Sequence, residues 1–539
     1  MRLISARTAA LLCVPLAAWG QSAATIPASS GFYDRVEAIS AWYPVQGLFL
    51  GERPMSVTDA IRALDLLQRR VQSSPAGGRR EWSLRQLDLL RSALAPVSGH
   101  LAAWSWDALA SAGDVRGERI EPNGLGGMDT VSQQLMGLDA TRNAFDPARQ
   151  GVPLGGAGVM LQPTAVLGNT HVAVLAEPLI ASPLARSDSG AWLPAMHRAY
   201  VRAVARNVAV RVGADELRWG QSPTGSLFIS GNAAPLHAVT VGTDTPVTLP
   251  WLLRFAGPFR LTGMLADLGL PSRGPRHPRL AGWQGSIEPW SRFELGVAVL
   301  TETGGSGAPG ATFLERVVDL FPVIDALTPS HSDIQISNKL AGGNLRLRLP
   351  AGVDFYYELQ IDDFDARRLR SSLVQDAGHL LGLRAPILVA ARPLTLRAEW
   401  QRTSLRLYEH TQFPAGVTFH NRLIGNPLGP NAKGAYLSGR YDLSPTSFVS
   451  LSLGDERRNP TIFSTTVSSA LDRGFRFVVD TLKPDHRREL AVATFEREVG
   501  SSTALLNLGA ARMWQDGAGR ARTEWSLEIG VRRDLVRGF

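Results

Sequence analysis

The stretch from Asn344 to Asp362 limits the fold more than any other part of the sequence. Its first arm carries Arg346 and Arg348 between leucines, it turns at Pro350, Ala351 and Gly352, and its second arm alternates without a break. Val353, Phe355, Tyr357, Leu359 and Ile361 fall on one face, and Asp354, Tyr356, Glu358, Gln360 and Asp362 on the other, which is a strand of period two. A soluble sandwich would turn the apolar face inward. An outer-membrane barrel would turn it toward lipid and enclose the charges in a lumen.

The same alternation recurs over Ala199–Ala205, Val208–Val212, Phe259–Leu265, Phe293–Leu300, Leu394–Gln401, Tyr436–Leu443, Phe448–Leu453, Phe475–Leu482, Leu490–Phe495 and Ala504–Ala510. No helix intervenes, so the connections are hairpins and the sheet is antiparallel. Trp525, Leu527, Ile529 and Val531 alternate in the last strand, and Phe539 supplies a terminal aromatic. Counting strands backward from Phe539 sorts the connections by side. Gly500–Ser502, Leu471–Gly474, Ser444–Ser447, Pro350–Gly352, Pro289–Ser291 and Arg206–Asn207 fall on one side and are short. Arg402–Gly434, Asp363–Gly378, Thr301–Lys339 and Gly213–Pro235 fall on the other and are long, with shorter connections near Lys483 and Gln515 on that side too. A sandwich has no reason to sort its loops, whereas a barrel has short periplasmic turns and long outer loops. The count gives roughly 18 to 20 strands, enough to leave a lumen that strand side chains alone cannot fill.

The chain opens with Arg2 and Arg7, an apolar run from Thr8 to Trp19 around Leu11, Leu12, Val14 and Leu16, and the small residues Ala18 and Gly20 before Gln21. This reads as a secretory signal peptide over 1–20. The single cysteine, Cys13, lies within it, so the mature chain is expected to have neither disulfide nor thiolate metal site. A helical segment over 21–98 precedes the barrel at 99–539. Ser56 caps a helix with Val57, Ile61, Leu64 and Leu67 at helical spacing and Asp59 three residues past the cap; a second helix runs from Trp82 to Ala95, with Pro96 as its stop. Such an amphipathic hairpin must bury its apolar face, either in the periplasmic mouth of the barrel as a plug or against a protein partner.

Charged residues make up 19% of the chain, and no Pro/Gly linker divides it into halves, which favours one large architecture. The longest charge-free run, Leu154–Ala176, is too polar and too broken by glycine to span a membrane as a helix. The net charge of +8 comes almost wholly from arginine, since Lys339, Lys433 and Lys483 are the lysines. It points to an acidic partner such as an anionic glycan or lipopolysaccharide phosphate, and nothing in the chain points to nucleic acid.

One outer loop carries a family signature. The run Trp219-Gly220-Gln221-Ser222-Pro223-Thr224-Gly225-Ser226-Leu227-Phe228-Ile229-Ser230-Gly231-Asn232-Ala233-Ala234-Pro235 resembles the Trp-Gly, Gly-Ser-Leu, Ser-x-Asn-Ala-x-Pro pattern of the capsule assembly Wzi family. Tyr357–Asp363 and Leu423–Gly429 add further echoes. The resemblance implies an all-β fold: a transmembrane antiparallel up-and-down β-barrel of about 18 strands with a small N-terminal helical bundle. It also implies a surface protein that binds capsular or other extracellular polysaccharide and holds it on the cell. The partners expected are that polysaccharide, outer-membrane lipid and polysaccharide export machinery, with no cofactor.

The candidate polysaccharide-binding residues are Trp219, Gln221, Ser230, Asn232, Asp362, Asp363, Asn421, Arg422, Asn426 and Asn431. Gln221, Ser230 and Asn232 offer donors and acceptors to hydroxyls, and Trp219 a flat apolar face to a sugar ring. The same residues also suit a purely structural loop. Asp362, Asp363 and Asp365 are either divalent-ion ligands or a solvated strand end. Arg346, Arg348 and Arg397 match Asp354, Glu358 and Glu399 as ion pairs within a lumen. No Gly-x-Ser-x-Gly, His-Glu-x-x-His or phosphate-binding glycine loop occurs, and the histidines are scattered, so a hydrolase would have to assemble its residues across strands. The expected function is non-enzymatic and lectin-like, with a substrate-selective porin as the alternative.

Overall fold

The computed structural model describes residues 22–98, 102–114, 118–120, 140–142, 157–182, 193–320, 337–362, 373, 377–458, 462–463, 477–478, 486–515 and 521–537, apart from 273, 309, 311, 313–314, 317–319, 405–406, 409 and 411. The signal-peptide residues, Asp363, Asp365 and Phe539 lie outside the described residues.

Eighteen antiparallel strands close into a barrel. They are β1 (Ala102–Asp114), β2 (Gly158–Gly168), β3 (Val172–Ala181), β4 (Leu193–Ala205), β5 (Val208–Asp215), β6 (Leu236–Thr243, continued by Val247–Thr248), β7 (Pro258–Asp267), β8 (Arg279–Trp290) and β9 (Phe293–Thr303). The second half is β10 (Ser337–Arg348), β11 (Asp354–Asp362), β12 (Ala377–Val389), β13 (Arg392–Thr403), β14 (Ala432–Ser444), β15 (Ser447–Arg458), β16 (His486–Val499), β17 (Ser502–Gln515) and β18 (Ala521–Arg537). Each pairs with its sequence neighbours, and β1 closes the ring against β18. At the founding hairpin Asn344 sits opposite Glu358 and Arg348 opposite Asp354. Its turn works because Ala351 and Gly352 take left-handed backbone angles, φ 66° and 88°.

The faces are those of a barrel and the reverse of a sandwich. On β11 Asp354, Tyr356, Glu358, Gln360 and Asp362 are buried in the lumen, while Phe355, Tyr357 and Leu359 are partly exposed outside. Outward residues such as Val212 (54% exposed) and Ile529 (55%) repeat this around the ring. The short turns gather at one end and the long loops at the other, apart from the longer β6–β7 connection through 244–257 at the short-turn end.

One expected strand is absent from the ring. The described part of Phe475–Leu482 is Phe477–Val478, which pairs with Ile462–Phe463, while β15 pairs directly with β16. Leu471–Gly474, expected as a short inner turn, lies outside the described residues.

Three helices, not two, precede the barrel: α1 (Phe32–Trp42), α2 (Val57–Gln72) and α3 (Gly78–Ser98). The sequence reading missed α1 because Phe32, Tyr33, Val36, Glu37, Ala38, Ile39, Ser40 and Ala41 are all buried, which leaves no polar stripe to show periodicity. Ser56 caps α2, its hydroxyl accepting the Asp59 N–H at 3.1 Å. Pro96 does not stop α3, which continues to Ser98 because Leu94 and Val97 are buried in the helical core. That core joins all three helices to Ala103, Val166, Ala173, Leu175 and Tyr200, so the bundle sits in the barrel mouth at the short-turn end. Among the described residues no helix is long and apolar enough to cross a membrane.

Candidate functional site

The chain before α2 rises into the lumen and is held there by carboxylates of the wall. Glu288 on β8 accepts the N–H groups of Gly47 and Leu48, and Glu294 on β9 accepts Gly51 N–H at 3.0 Å. Glu52 and Arg53 then pair as a two-residue strand with Trp219 and Arg218, which descend from the β5–β6 loop at the opposite end. Gly220 N–H extends the match to Gly51 C=O at 2.8 Å. The N-terminal segment and an outer loop thus meet inside the barrel.

That loop folds inward because one buried carboxylate gathers its backbone. Glu358 on β11 accepts the N–H groups of Gln221 (2.6 Å), Ser222 (2.8 Å) and Leu227 (2.9 Å), and the Ser226 hydroxyl at 3.1 Å. Gly220, at φ 135°, makes the approach possible: a Cβ there would stand 2.7 Å from the Glu358 oxygens. Glu399 on β13 accepts the Ser222 and Thr224 hydroxyls. Gln221 closes the polar set, donating to Glu294 and Asn344 and accepting from Arg346.

The β13–β14 loop lies over the first loop. Ser230 N–H donates to Ile424 C=O at 2.8 Å, Asn232 Nδ2 to Leu423 C=O at 3.0 Å, and Asn426 Nδ2 to Gly225 C=O at 2.7 Å and to Gln401 on β13 at 2.9 Å. Asp362 accepts Tyr408 N–H at 2.5 Å, and the Tyr408 hydroxyl donates to Leu227 C=O at 2.6 Å. Burial pushes the Tyr408 phenol well above its ordinary value, which keeps it a donor. Beneath these bonds Trp219, Phe228, Ile229, Phe419, Leu423 and Ile424 form an apolar core.

The three sequence segments that carried the family signature therefore meet: two are loops of one cap, and the described part of the third, on β11, supplies the Glu358 and Asp362 carboxylates that hold them. The sequence profile described as "Capsule assembly protein Wzi" matches residues 183–483, more than half of the chain. The chain belongs to the Wzi capsule assembly family. Its fold agrees with the solved structure of Wzi from Escherichia coli, described as an outer membrane protein involved in group 1 capsule assembly and a carbohydrate-binding β-barrel. The TM-score is 0.69 at 13% identity, covering 95% of this chain and 99% of that one. Pseudomonas aeruginosa OccK5 and Acinetobacter baumannii OccAB1 are more distant, with TM-scores of 0.43 and 0.40 at 8% and 10% identity, covering 81% and 80% of this chain and 98% and 96% of theirs. No curated protein matches by sequence. The chain, a barrel of this family, is an outer-membrane protein.

Within this Wzi-family barrel the predicted site residues divide into two groups. Trp219, Gln221, Ser230, Asn232, Asp362, Asn426 and Asn431 are buried, so their side chains build the cap. Asn421 is exposed and Arg422 half-buried, at a hairpin tip formed by Thr418–Phe419 and Arg422–Leu423, where the His420 ring stacks on Phe419 at 4.0 Å. Ala140–Arg142 adds a strand to this hairpin. Among the described residues no three His, Cys, Asp or Glu side chains are grouped as a metal site. A cavity of about 40 Å³ between Arg53, Arg202, Arg211, Arg260, Glu52 and Trp219 has room for water only.

Sequence reasoning missed Glu37. Its carboxylate, on α1, faces Arg53 (2.9 Å), Arg346 (3.1 Å), Arg397 (3.1 Å) and Arg384 (3.7 Å). Burial would raise its pKa, but the guanidinium groups of Arg346, Arg384, Arg53 and Arg397 outweigh that and hold it well below the usual carboxylate range. An acid directly between Val36 and Ala38-Ile39 was the available signal. Of the expected lumen ion pairs, Arg346 does meet Asp354, at 3.8 Å, and Glu37 as well, whereas Arg397 meets Glu37, Arg348 meets Glu288, and Glu358 and Glu399 serve the loops.

Proposed function

We propose that the barrel is a non-enzymatic, lectin-like protein that binds capsular or related extracellular polysaccharide on the outer face of its cap and holds it at the cell surface. The observation that carries this reading is the filled lumen. The N-terminal segment and the β5–β6 loop hydrogen-bond to each other inside the barrel, so among the described residues the chain itself occupies the lumen, and the surface offered to a glycan is the cap. The tip of the cap joins an exposed imidazole stacked on Phe419, the Asn421 amide and the Arg422 guanidinium, a set suited to ring stacking, hydroxyls and an acidic sugar. The net charge of +8 favours an anionic polymer. The matched family's role in capsule assembly supports the same reading. In this reading residues 1–20 direct export, the short turns face the periplasm, and the helical bundle is a periplasmic plug beside the export machinery.

Deleting the gene tests it. Total polymer should stay unchanged while polymer moves from the cells into the medium. An unchanged partition with a lower total would point to synthesis or export instead. The purified barrel on a glycan array should retain charged surface polysaccharide and lose it in an Asn421→Ala/Arg422→Ala variant.

A further inference from the structure

The short-turn end breaks its own rule at one place. Its other connections are compact, such as Arg206–Asn207, Ser291–Arg292, Ala390–Ala391 and Gly500–Ser501, but β6 and β7 are joined through 244–257. This connection is built and not slack. Thr245 N–H and hydroxyl both donate to Asn207 Oδ1 at 2.8 Å, Val247–Thr248 pair with Phe259–Pro258, and Gly257 N–H donates to Arg254 C=O at 3.1 Å. On that frame a 3-10 turn, Trp251–Ala256, presents Trp251 at 90%, Leu253 at 60% and Phe255 at 70% exposure. Trp251 takes a left-handed φ of 58°, which disfavours a tryptophan and is held by the loop around it.

We propose that this loop is a membrane-surface anchor, in which Trp251, Leu253 and Phe255 enter the headgroup region of the phospholipid leaflet that borders the short turns. The inference rests on the outward face of the barrel being lipid-facing. The loop continues that face: Val241 on β6, Leu261 on β7 and Trp290 on β8 are outward and exposed just beside it, and Trp290 stacks on Phe293 at 4.9 Å at the same rim. Aromatic side chains at the edge of an apolar band are what a membrane interface selects. From Thr245 to Phe259 there is no acidic residue and one cation, Arg254, whose guanidinium lies 5.4 Å from the Phe255 ring. A lone arginine among apolar residues suits a lipid phosphate.

The test uses the full chain with Cys13→Ser, reconstituted in phospholipid nanodiscs, with an environment-sensitive fluorophore on Leu253→Cys, Ser501→Cys or Leu451→Cys. The Leu253 probe should be blue-shifted, protected from aqueous iodide and quenched by lipids spin-labelled near the headgroup. The Ser501 probe, on a polar short turn, should be quenched by iodide, and the Leu451 probe by lipids spin-labelled deep in the chains. If the Leu253 probe follows Ser501 while Leu451 is quenched from the lipid, the anchor is overturned and the membrane barrel stands. If Leu451 is not quenched from the lipid either, the lipid-facing reading itself fails. Shielding of Leu253 that appears only after soluble periplasmic proteins are added would also overturn the anchor, in favour of protein docking.

Discussion

Glu37 on α1 and Arg397 on β13 form an ion pair of 3.1 Å although 360 residues separate them in sequence. Three other arginines converge on the same carboxylate, so the helical bundle is tied to the wall by charge as well as by apolar packing. Glu37→Gln leaves those guanidinium groups without their shared counter-ion, and breaking a buried pair costs about 3–5 kcal/mol. The thermal midpoint of the folded barrel, followed by its gel mobility shift, should fall. An unchanged midpoint would mean that Asp354 alone balances the cluster.

The same carboxylate sets a pH dependence. Its folded pKa lies below the unfolded value of about 4.3, so its stabilisation is fully present above that pH and is lost as the pH falls through the folded value. The gap in stability between the wild type and Glu37→Gln should be constant from neutral pH down to about pH 5 and narrow only on the acid side of about pH 4. A gap that closed near pH 6 would assign the effect to another group.

Cysteine labelling reads out the cap. Ser222 is buried and Asn421 is exposed, so a membrane-impermeant maleimide on intact cells should modify Asn421→Cys and leave Ser222→Cys untouched. Ala351→Cys, on the short turn between β10 and β11, should react only after lysis. Labelling of Ala351→Cys on intact cells would invert the assigned orientation.

Glu358 holds the first cap loop through three backbone N–H groups, and each hydrogen bond to a charged group contributes about 1.5–3 kcal/mol. Glu358→Ala should therefore release the loop and make Ser222→Cys reactive on intact cells. Gly220→Ala should act in the same direction, because its Cβ would meet the Glu358 carboxylate. Silent Ser222→Cys in both backgrounds would show that the apolar core beneath the loop suffices.

Conductance separates the parts of the filling. Removing residues 57–95 takes away α2 and most of α3 but leaves segment 47–53 hydrogen-bonded to Glu288, Glu294 and Gly220. Removing 22–98 takes segment 47–53 as well and leaves the inward β5–β6 loop on Glu358 and Glu399 as filling. Bilayer conductance should rise modestly in the first case and strongly in the second, and equal conductance in the two would mean that the helices alone seal the barrel.

The barrel was legible in the sequence because two-residue periodicity and loop sorting report the wall directly. Asp354 to Asp362 gave the buried polar face of β11 and its partly exposed Phe355, Tyr357 and Leu359, whereas Ile361, expected beside them, is buried. The filling was much less legible. Helix α1 buries nearly every side, so Glu37 looked like part of an apolar run, and its arginine partners lie hundreds of residues away. The cap motif was found, but the roles inside it were not readable from spacing. Gln221, Ser230, Asn232 and Asn426 carry the polar groups a sugar would need, and the fold uses them on backbone carbonyls and lumen side chains. Only the inward folding around Glu358 decides between those uses.

The cap is also a way of bearing load. A polymer held at its tip, as proposed, would pull on the β13–β14 loop, which is fastened to β11 through Asp362 and Tyr408 N–H, to β13 through Gln401 and Thr403, and to β15 through Arg458 and Pro427 C=O at 3.3 Å. Tension at the surface is thus divided among separate staves of the barrel. No one hydrogen bond takes the whole force, and several bonds on different strands must fail before the loop lifts.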